Sequence, residues 1–251
     1  MNISDILLGA AIIIAAPAVN RVGEAKAQQI HPDQVVVDSP FVHDPVLAYE
    51  NGKYYLYSTG HGISQMTSAD RKHWTLCREG VLKNHEIPAW THDSVPGFHT
   101  HIWAPDVIHY RNKWYLAYSC STFGKNTSAI GLLSNTSLAN MNGWKDEGCI
   151  LASEGKRDNW NAIDPNFVID DKGNPWMTWG SFWDGIQLVK LDKKTMHVKK
   201  GAKPQTIARR HAFGDASAEP NPTSKFAGAN AIEAPFIMKH GGYYYLFVSW
   251  D

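Results

Sequence analysis

The sequence contains few cysteines, which excludes the stabilising devices that depend on them. Three occur in 251 residues, at Cys77, Cys120 and Cys149. They are too few and too scattered for a disulfide framework, and no Cys-x-x-Cys pair indicates a zinc site. At most one disulfide bridge can form, which leaves at least one thiol free.

Net charge is also lacking. Lys and Arg together number 24, as do Asp and Glu, and no long block of like charge interrupts this balance. A surface that follows a phosphate backbone needs clustered basic residues. We therefore expect no nucleic-acid partner.

The apolar run near the N-terminus, residues 6–16, is too short to span a bilayer but has the size of a signal-peptide core. Small-x-small cleavage sites follow at residues 16–18 and 25–27. We predict a signal peptide over residues 1–27, a secreted protein and no membrane partner. Because no Lys or Arg precedes the run, a buried amphipathic first helix is the alternative.

Helical periodicity is nearly absent, and a strand pattern recurs instead. Four segments join a strand headed by proline to an aromatic strand, across turns rich in Asn, Asp and Gly that are typical of hairpins. Their prolines, at positions 45, 105, 165 and 235, are spaced by 60, 60 and 70 residues. Third strands are predicted at 62–68, 128–134 and 185–191. This period predicts four-stranded sheets repeated around an axis, an all-β propeller rather than an open β-sandwich.

Three of the four first strands carry an acid near the proline. Asp44 and Asp164 directly precede it, and Glu233 lies two residues before it. The innermost strands of a propeller line its channel, so we expect these carboxyl groups to converge. Two carboxyl groups, one ionised and one protonated, are the minimum for hydrolysis of a glycosidic bond. Taken singly, each acid could instead cap a turn, and Asp106, one residue after its proline, is predicted to be structural.

Six motifs extend this pattern into a resemblance over residues 39–251. They occur in the order seen in the endo-α-1,5-L-arabinanases of glycoside hydrolase family 43. The motifs are Val42-His43-Asp44-Pro45, Trp103-Ala104-Pro105-Asp106, Phe123-Gly124-Lys125-Asn126-Thr127-Ser128-Ala129-Ile130-Gly131, Asn161-Ala162-Ile163-Asp164-Pro165, Gly180-Ser181-Phe182-Trp183-Asp184-Gly185-Ile186 and Ile232-Glu233-Ala234-Pro235. The resemblance implies a five-bladed β-propeller. Residues 28–251 would be its catalytic domain, with about three and a half blades present and the C-terminal part missing.

The resemblance also implies roles for individual residues. Asp44 would be the general base that activates water, and Glu233 the general acid that protonates the leaving oxygen. Asp164 would orient the acid and tune its acidity. Trp103 and Phe123 resemble the aromatic walls of the sugar subsite at the cleavage point. The substrate-binding residues implied are His43, Trp103, Phe123, Asn161 and Ser181.

The implied reaction is hydrolysis of internal α-1,5-L-arabinofuranosidic bonds with inversion of configuration. We expect a monomer that acts on arabinan or arabino-oligosaccharides and needs no cofactor for the chemistry. Family members commonly hold a metal ion, usually calcium, in the central channel, but no metal ligand can be assigned in this sequence. His99 and His101 lack a carboxylate or cysteine partner at a usual metal-site spacing, so the loop over residues 84–102 is predicted to shape the rim of the groove.

Three other functions are compatible with parts of the pattern. An exo-acting arabinofuranosidase or β-xylosidase shares the scaffold, and the openness of the groove would distinguish it. A retaining fructosidase is suggested by Asp164-Pro165-Asn166, but such enzymes carry their nucleophile motif in the first blade. A non-catalytic carbohydrate-binding propeller could keep the aromatic residues but would need no triad of acids.

Overall fold

A computed structural model describes residues 34–83, 86–210 and 231–250. All of these residues belong to one compact unit, residues 32–251. The predicted signal peptide, residues 1–27, lies outside the described residues. Within the described ranges, no helix has the length and apolar character needed to cross a membrane.

Sixteen strands and one helix form the regular structure of the described residues. The first ten strands are β1 (Gln34–Val37), β2 (Val46–Glu50), β3 (Lys53–Ser58), β4 (Gly60–His61), β5 (Ser64–Ser68), β6 (Trp74–Cys77), β7 (His101–Tyr110), β8 (Lys113–Cys120), β9 (Ser128–Asn135) and β10 (Lys145–Ser153). The others are β11 (Asn166–Ile169), β12 (Pro175–Trp179), β13 (Ile186–Lys190), β14 (Gln205–Ala208), β15 (Ile232–His240) and β16 (Tyr243–Trp250). Helix α1 (Trp90–Ser94) lies between β6 and β7. The predicted third strands correspond to β5, β9 and β13.

Successive segments of the chain form successive antiparallel sheets. The sheet orders are β1-β6-β5-β3-β2, β10-β9-β8-β7-β4, β11-β12-β13-β14 and β15-β16. We name the strand sets β2-β3-β5-β6, β7–β10, β11–β14 and β15-β16 blades one to four. Strand β1 extends the outer edge of blade one, and the short β4 crosses from blade one to pair with β7.

The first strands of the blades lie next to one another around an axis. Strand β2 contacts β7, β7 contacts β11, and β11 contacts β15. Such contacts are required by a propeller, whose innermost strands line the central channel. The all-β propeller prediction is confirmed. The fold is that of a five-bladed β-propeller, of which the described residues form three four-stranded blades and one further hairpin.

The four predicted hairpins are present, but the position of the proline differs among them. In blades one and three, the first strand begins directly after the proline. In blade two, β7 runs through Pro105, and the register with β8 shifts between Trp103 and Asp106. Blade four repeats this shift in β15. Because proline has no N–H for the ladder, a strand continues past it only through an irregularity of this kind.

The hydrophobic core lies between the blades. One cluster, which includes Tyr57 and Leu116, joins blades one and two. A second, which includes Ile130, Met177 and Trp179, joins blades two and three. Both faces of blade two are therefore covered, and β9 is buried along its whole length. This explains why its sequence is continuously apolar or small instead of alternating.

All three cysteines are free thiols. Cys120 lies in β8 and Cys149 in β10, with β9 between them. Two strand spacings amount to about 10 Å, beyond the roughly 7 Å between Cα atoms that a disulfide can bridge. The sheet topology therefore keeps this pair apart.

Candidate active site

One cavity of about 870 Å³ is lined by every residue that the sequence analysis assigned to catalysis or substrate binding. It receives residues from the beginnings of the first strands of all four blades, as expected at one mouth of a propeller axis. The residues from the sequence analysis that line it are His43, Asp44, Trp103, Phe123, Asn161, Asp164, Ser181 and Glu233. A mostly preformed cavity with a few convergent polar groups is typical of a small-molecule or saccharide site.

An unusual backbone conformation recurs at this mouth. The residue before each repeat proline has a positive φ: 50° at Asp44, 41° at Ala104, 57° at Asp164 and 52° at Ala234. A positive φ is uncommon for residues other than glycine, and the α regions are further disfavoured before proline. Such conformations persist only where the surroundings impose them, and they cluster at functional sites. The strained turn places the carboxyl groups of Asp44 and Asp164 at equivalent positions in blades one and three.

Asp44 is held by two side chains of its own blade. The Thr59 hydroxyl donates to Oδ2 of Asp44 at 2.5 Å, and Nδ1 of His43 lies 2.7 Å from the same oxygen. The side chain of Asp44 is 32% exposed, so solvent can reach it. A carboxylate that is both oriented and accessible to water has what a general base requires.

Asp164 lies between the other two acids. Its Oδ2 accepts a hydrogen bond from the backbone N–H of Ala234 at 3.2 Å. The pKa of Asp164 is raised to about 7, chiefly by burial and also by the negative charges of Glu233 and Asp44, against the opposing hydrogen bond from Ala234. This carboxyl group is thus electrostatically coupled to both partners, and its charge changes near neutral pH.

Glu233 is oriented from blade three. The Ser181 hydroxyl donates to Oε2 of Glu233 at 2.9 Å. The residues next to this pair are also hydrogen-bonded to each other, because the Phe182 N–H donates to the carbonyl of Ile232 at 2.9 Å. Ser181 is 3% exposed, so the surrounding residues restrict its hydroxyl to the position in which it contacts Glu233.

Aromatic side chains border the cavity. The indole N–H of Trp103 donates to Nδ1 of His101 at 3.1 Å, which fixes the edge of the ring. This bond requires Nδ1 of His101 to be unprotonated. Burial lowers the pKa of His101, and nearby His61 and His43 lower it further, which favours that state. Phe123 is 89% exposed, and its apolar ring is available for stacking on a sugar.

Asn161 belongs to a buried polar network beneath the cavity wall. Its Oδ1 accepts from the Ser128 hydroxyl at 2.6 Å, and Ser128 is 2.7 Å from the hydroxyl of Ser121. Asn126 supports the adjoining loop, because its amide donates to the carbonyls of Asp158 and Trp160 at 2.9 and 3.2 Å. The segment between β8 and β9 is therefore locked against the loop that carries Asn161.

Phe41 and Thr59 are among the cavity-lining residues that sequence reasoning missed. Phe41 is 97% exposed there, although nothing in the sequence distinguishes it except its place three residues before Asp44. Thr59 bonds directly to Asp44. The available signal for Thr59 was the 60-residue period, which matches it with Ser119 of the next blade.

A metal site is not found in the described part of the chain, where no group of three His, Cys, Asp or Glu side chains could hold an ion. The calcium that the resemblance suggests is therefore not assigned to ligands among these residues. The chemistry considered below uses only the carboxyl groups.

A β-propeller with three carboxyl groups in one cavity is an arrangement typical of glycoside hydrolases. The sequence profile described as "Glycosyl hydrolases family 43" matches residues 34–251, so the chain belongs to that family.

Named relatives support this assignment. The chain is 41% identical over 212 residues to the extracellular exo-α-(1→5)-L-arabinofuranosidase ArbA of Cellvibrio japonicus, covering 83% of this chain and 58% of the relative. It is also 41% identical over 214 residues to the extracellular endo-α-(1→5)-L-arabinanase 1 of Bacillus subtilis, covering 84% and 59%. The crystal structure of an exo-1,5-α-L-arabinanase from a bovine ruminal metagenomic library superposes with a TM-score of 0.74 at 52% identity, covering 85% of this chain and 66% of that one. The chain spans about three fifths of the length of the two curated relatives.

Proposed function

We propose that the protein hydrolyses internal α-1,5-L-arabinofuranosidic bonds of arabinan with inversion of configuration. The observation that carries the proposal is the convergence of Asp44, Asp164 and Glu233, from three different blades, on one cavity with aromatic walls. The names of the relatives point to the same substrate class. Arabinan and arabino-oligosaccharides are thus the proposed substrates.

In this mechanism Asp44 is the general base. It removes a proton from a water molecule that attacks the anomeric carbon on the face opposite the leaving group, and this displacement inverts the configuration. Inverting enzymes hold base and acid about 6.5–9.5 Å apart to leave room for that water. The hydrogen bond from Thr59 and the close contact with Nδ1 of His43, both at Oδ2 of Asp44, keep the carboxylate in one orientation.

Glu233 is the general acid in the same step. It gives its proton to the glycosidic oxygen as the bond to the anomeric carbon breaks, so the sugar leaves as a neutral alcohol. The cycle ends when Asp44 loses its proton and Glu233 regains one. Asp164 orients the acid and is coupled to it by charge, as the effect of Glu233 on Asp164 indicates.

The remaining residues bind substrate. Trp103 and Phe123 are proposed to stack on the furanose at the cleavage point, because flat apolar rings suit the faces of sugars. The polar groups of His43, Asn161 and Ser181 line the same cavity. We further propose that the protein is a secreted monomer, with a signal peptide over residues 1–27 and a catalytic domain over residues 28–251. The apolar run 6–16 and the extracellular relatives support its secretion.

The exo-acting alternative has specific support, since two of the named relatives are exo-acting enzymes. The products formed first distinguish the two modes. Debranched linear arabinan is incubated with the purified protein, and products are resolved by size. A mixture of oligosaccharides supports endo action, whereas one short product from the start supports exo action. Proton NMR of the first anomer formed tests inversion, and a xylan tests the sugar preference.

The general acid is tested by Glu233→Gln, with the exposed Glu79→Gln as the matched control. We expect Glu233→Gln to abolish hydrolysis but to bind arabino-oligosaccharides, and the control to retain activity. Unchanged turnover by Glu233→Gln would remove the proposed acid. Saccharide binding without hydrolysis by the unmodified protein would instead favour the non-catalytic binding propeller.

A further inference from the structure

The Thr59 hydroxyl bridges blades one and two at the mouth of the cavity. It donates to Oδ2 of Asp44 at 2.5 Å and accepts from the backbone N–H of Ala104 at 2.8 Å. The amide can only donate, so the single hydroxyl proton of Thr59 is directed to Asp44. The Oδ2 atom of Asp44 is therefore the acceptor in this bond.

The bonds to Asp44 also distinguish its two oxygens. Thr59 and Nδ1 of His43 both contact Oδ2. Among the described residues, none donates a hydrogen bond to Oδ1. A carboxylate held through one oxygen keeps the other free to accept a proton from water, as a general base must.

A related contact recurs at each junction between neighbouring blades. The backbone N–H of Ala104 donates to Thr59, that of Asp164 to the Ser119 hydroxyl at 3.1 Å, and that of Ala234 to the Asp164 carboxylate at 3.2 Å. Each donor is the pre-proline residue with positive φ. An oxygen from the preceding blade thus holds each strained turn in place.

A comparison with the equivalent residue of the next blade shows which contact is specific to Thr59. It is 60 residues from Ser119, the spacing of Pro45 and Pro105, so the two hydroxyls occupy equivalent positions. Ser119 accepts a bond from the backbone of Asp164, whereas Thr59 also donates to the side chain of a candidate catalytic residue. It therefore links the base to the strand that carries Trp103.

We infer that Thr59 is a positioning residue that fixes the carboxylate of Asp44 against the first strand of blade two, and so aligns the base with the sugar subsite. This inference rests on the proposed function. Removal of the hydroxyl leaves the N–H of Ala104 without its acceptor and Oδ2 of Asp44 without its hydrogen-bond donor. Both losses act on the placement of the base, while the aromatic walls of the subsite remain.

The test compares Thr59→Val, which has the same shape without the hydroxyl, with Thr59→Ser, which retains it. Thr75→Val in the outer strand β6 is the matched control. We expect Thr59→Val to lower kcat by about 10–100-fold with KM changed less than about threefold, since a lost hydrogen bond to a charged group acts on this scale. Thr59→Ser should recover most of the rate. Wild-type kcat in Thr59→Val, or equal loss in both Thr59 variants, would overturn the inference.

A second measurement does not depend on turnover. In crystal structures of the unmodified protein and of Thr59→Val, we expect the Asp44 carboxylate to move away from its contact with Nδ1 of His43 in the variant only. A superposable carboxylate would overturn the inference. An unmodified protein that does not hydrolyse arabinan would count against the proposed function, and the crystal structures would still decide the role of Thr59.

Discussion

Oε2 of Glu233 accepts a 2.9 Å hydrogen bond from the hydroxyl of Ser181, so the candidate acid of blade four is held from the end of blade three. Ser181 follows β12 and is nearly fully buried. The contact is thus made by a side chain with little freedom to move. Orientation of a catalytic group by a fixed neighbour is a requirement for efficient proton transfer.

Replacement of this serine tests the contact. Ser181→Ala removes the donor to Glu233, which becomes charged as it gives up its proton, and hydrogen bonds to charged groups are worth about 1.5–3 kcal/mol. We expect kcat on linear arabinan to fall by about 10–100-fold. Ser134→Ala is a matched control, because Ser134 donates to Glu147 at 2.6 Å but does not line the cavity. Equal kcat values for the two variants would show that the bond from Ser181 does not contribute to the reaction.

Asp106 and Asp164 give the fold a distinctive pH dependence. The pKa of each carboxyl group is raised from 3.8 to about 7, by burial at Asp106 and by burial together with the charges of Glu233 and Asp44 at Asp164. Between roughly pH 4 and pH 7 the native state therefore binds more protons at these positions than the unfolded state does. Their contribution to stability is fully present below pH 4 and is lost as the pH rises through 7.

Asp106→Asn isolates one of these contributions. The amide does not titrate, while its oxygen can still accept from the Phe167 N–H, which lies 2.7 Å from Oδ2 of Asp106. In the unmodified protein the free energy of unfolding should decrease between pH 4 and pH 8. In Asp106→Asn we expect this decrease to be smaller by at most roughly 4 kcal/mol, the value for a rise of about three pKa units. Urea denaturation across this range measures it. The control Asp93→Asn, at an exposed position, should leave the pH dependence of the free energy of unfolding unchanged. An unchanged pH dependence in Asp106→Asn would refute the raised pKa of Asp106.

The sequence was sufficient to predict the hairpins and the convergence of the acids. Both depend on local features: turn residues, aromatic strands and a period set by the prolines. A first strand that begins beside Asp44 must bring that residue to the channel mouth once the sheets are arranged around an axis. The convergence on one cavity therefore followed from chain order alone.

Features that depend on contacts between blades were not predictable from local pattern. The 60-residue period matches Thr59 with Ser119 but does not show what its hydroxyl contacts, and its role appears only when the Ala104 turn of blade two lies beside it. The positive φ of Ala104 opposes the local preference of a residue before proline. The pairing of β4 with β7 likewise joins segments about 40 residues apart, through only two residue pairs.

Gly131 provides a test of packing within blade two. It lies in β9 opposite Tyr118, and a Cβ added at Gly131 would lie 2.6 Å from the Tyr118 hydroxyl oxygen. Tyr118 is fully buried and cannot move aside. We expect Gly131→Ala to lower the free energy of unfolding by about 1–3 kcal/mol, as overpacking does. The same substitution in a Tyr118→Leu background should cost less, and equal costs in both backgrounds would exclude the ring as the cause.

Glu50 joins blades one and two by hydrogen bonds. It lies at the end of β2 that is farther from Asp44. Its carboxylate accepts bonds from the indole N–H of Trp114 at 2.7 Å, the hydroxyl of Ser137 at 2.7 Å and the backbone N–H of Leu138 at 2.8 Å. The first of these donors lies on β8 and the other two follow β9. With the longer bond from the backbone N–H of Ala139, at 3.3 Å, one carboxylate accepts from four donors of the neighbouring blade.

Removal of these hydrogen bonds should reduce stability and spare catalysis. Glu50→Ala leaves the donors without their acceptor, and we expect the free energy of unfolding to fall by about 2–4 kcal/mol. The exposed Glu79→Ala should stay within about 0.5 kcal/mol of the unmodified protein. Because the five residues of β2 separate Glu50 from the cavity by about 17 Å, kcat and KM at low temperature should change little. A stable Glu50→Ala protein would mean that water replaces the carboxylate, and a stable protein with reduced kcat would mean that the blade junction transmits its geometry to Asp44.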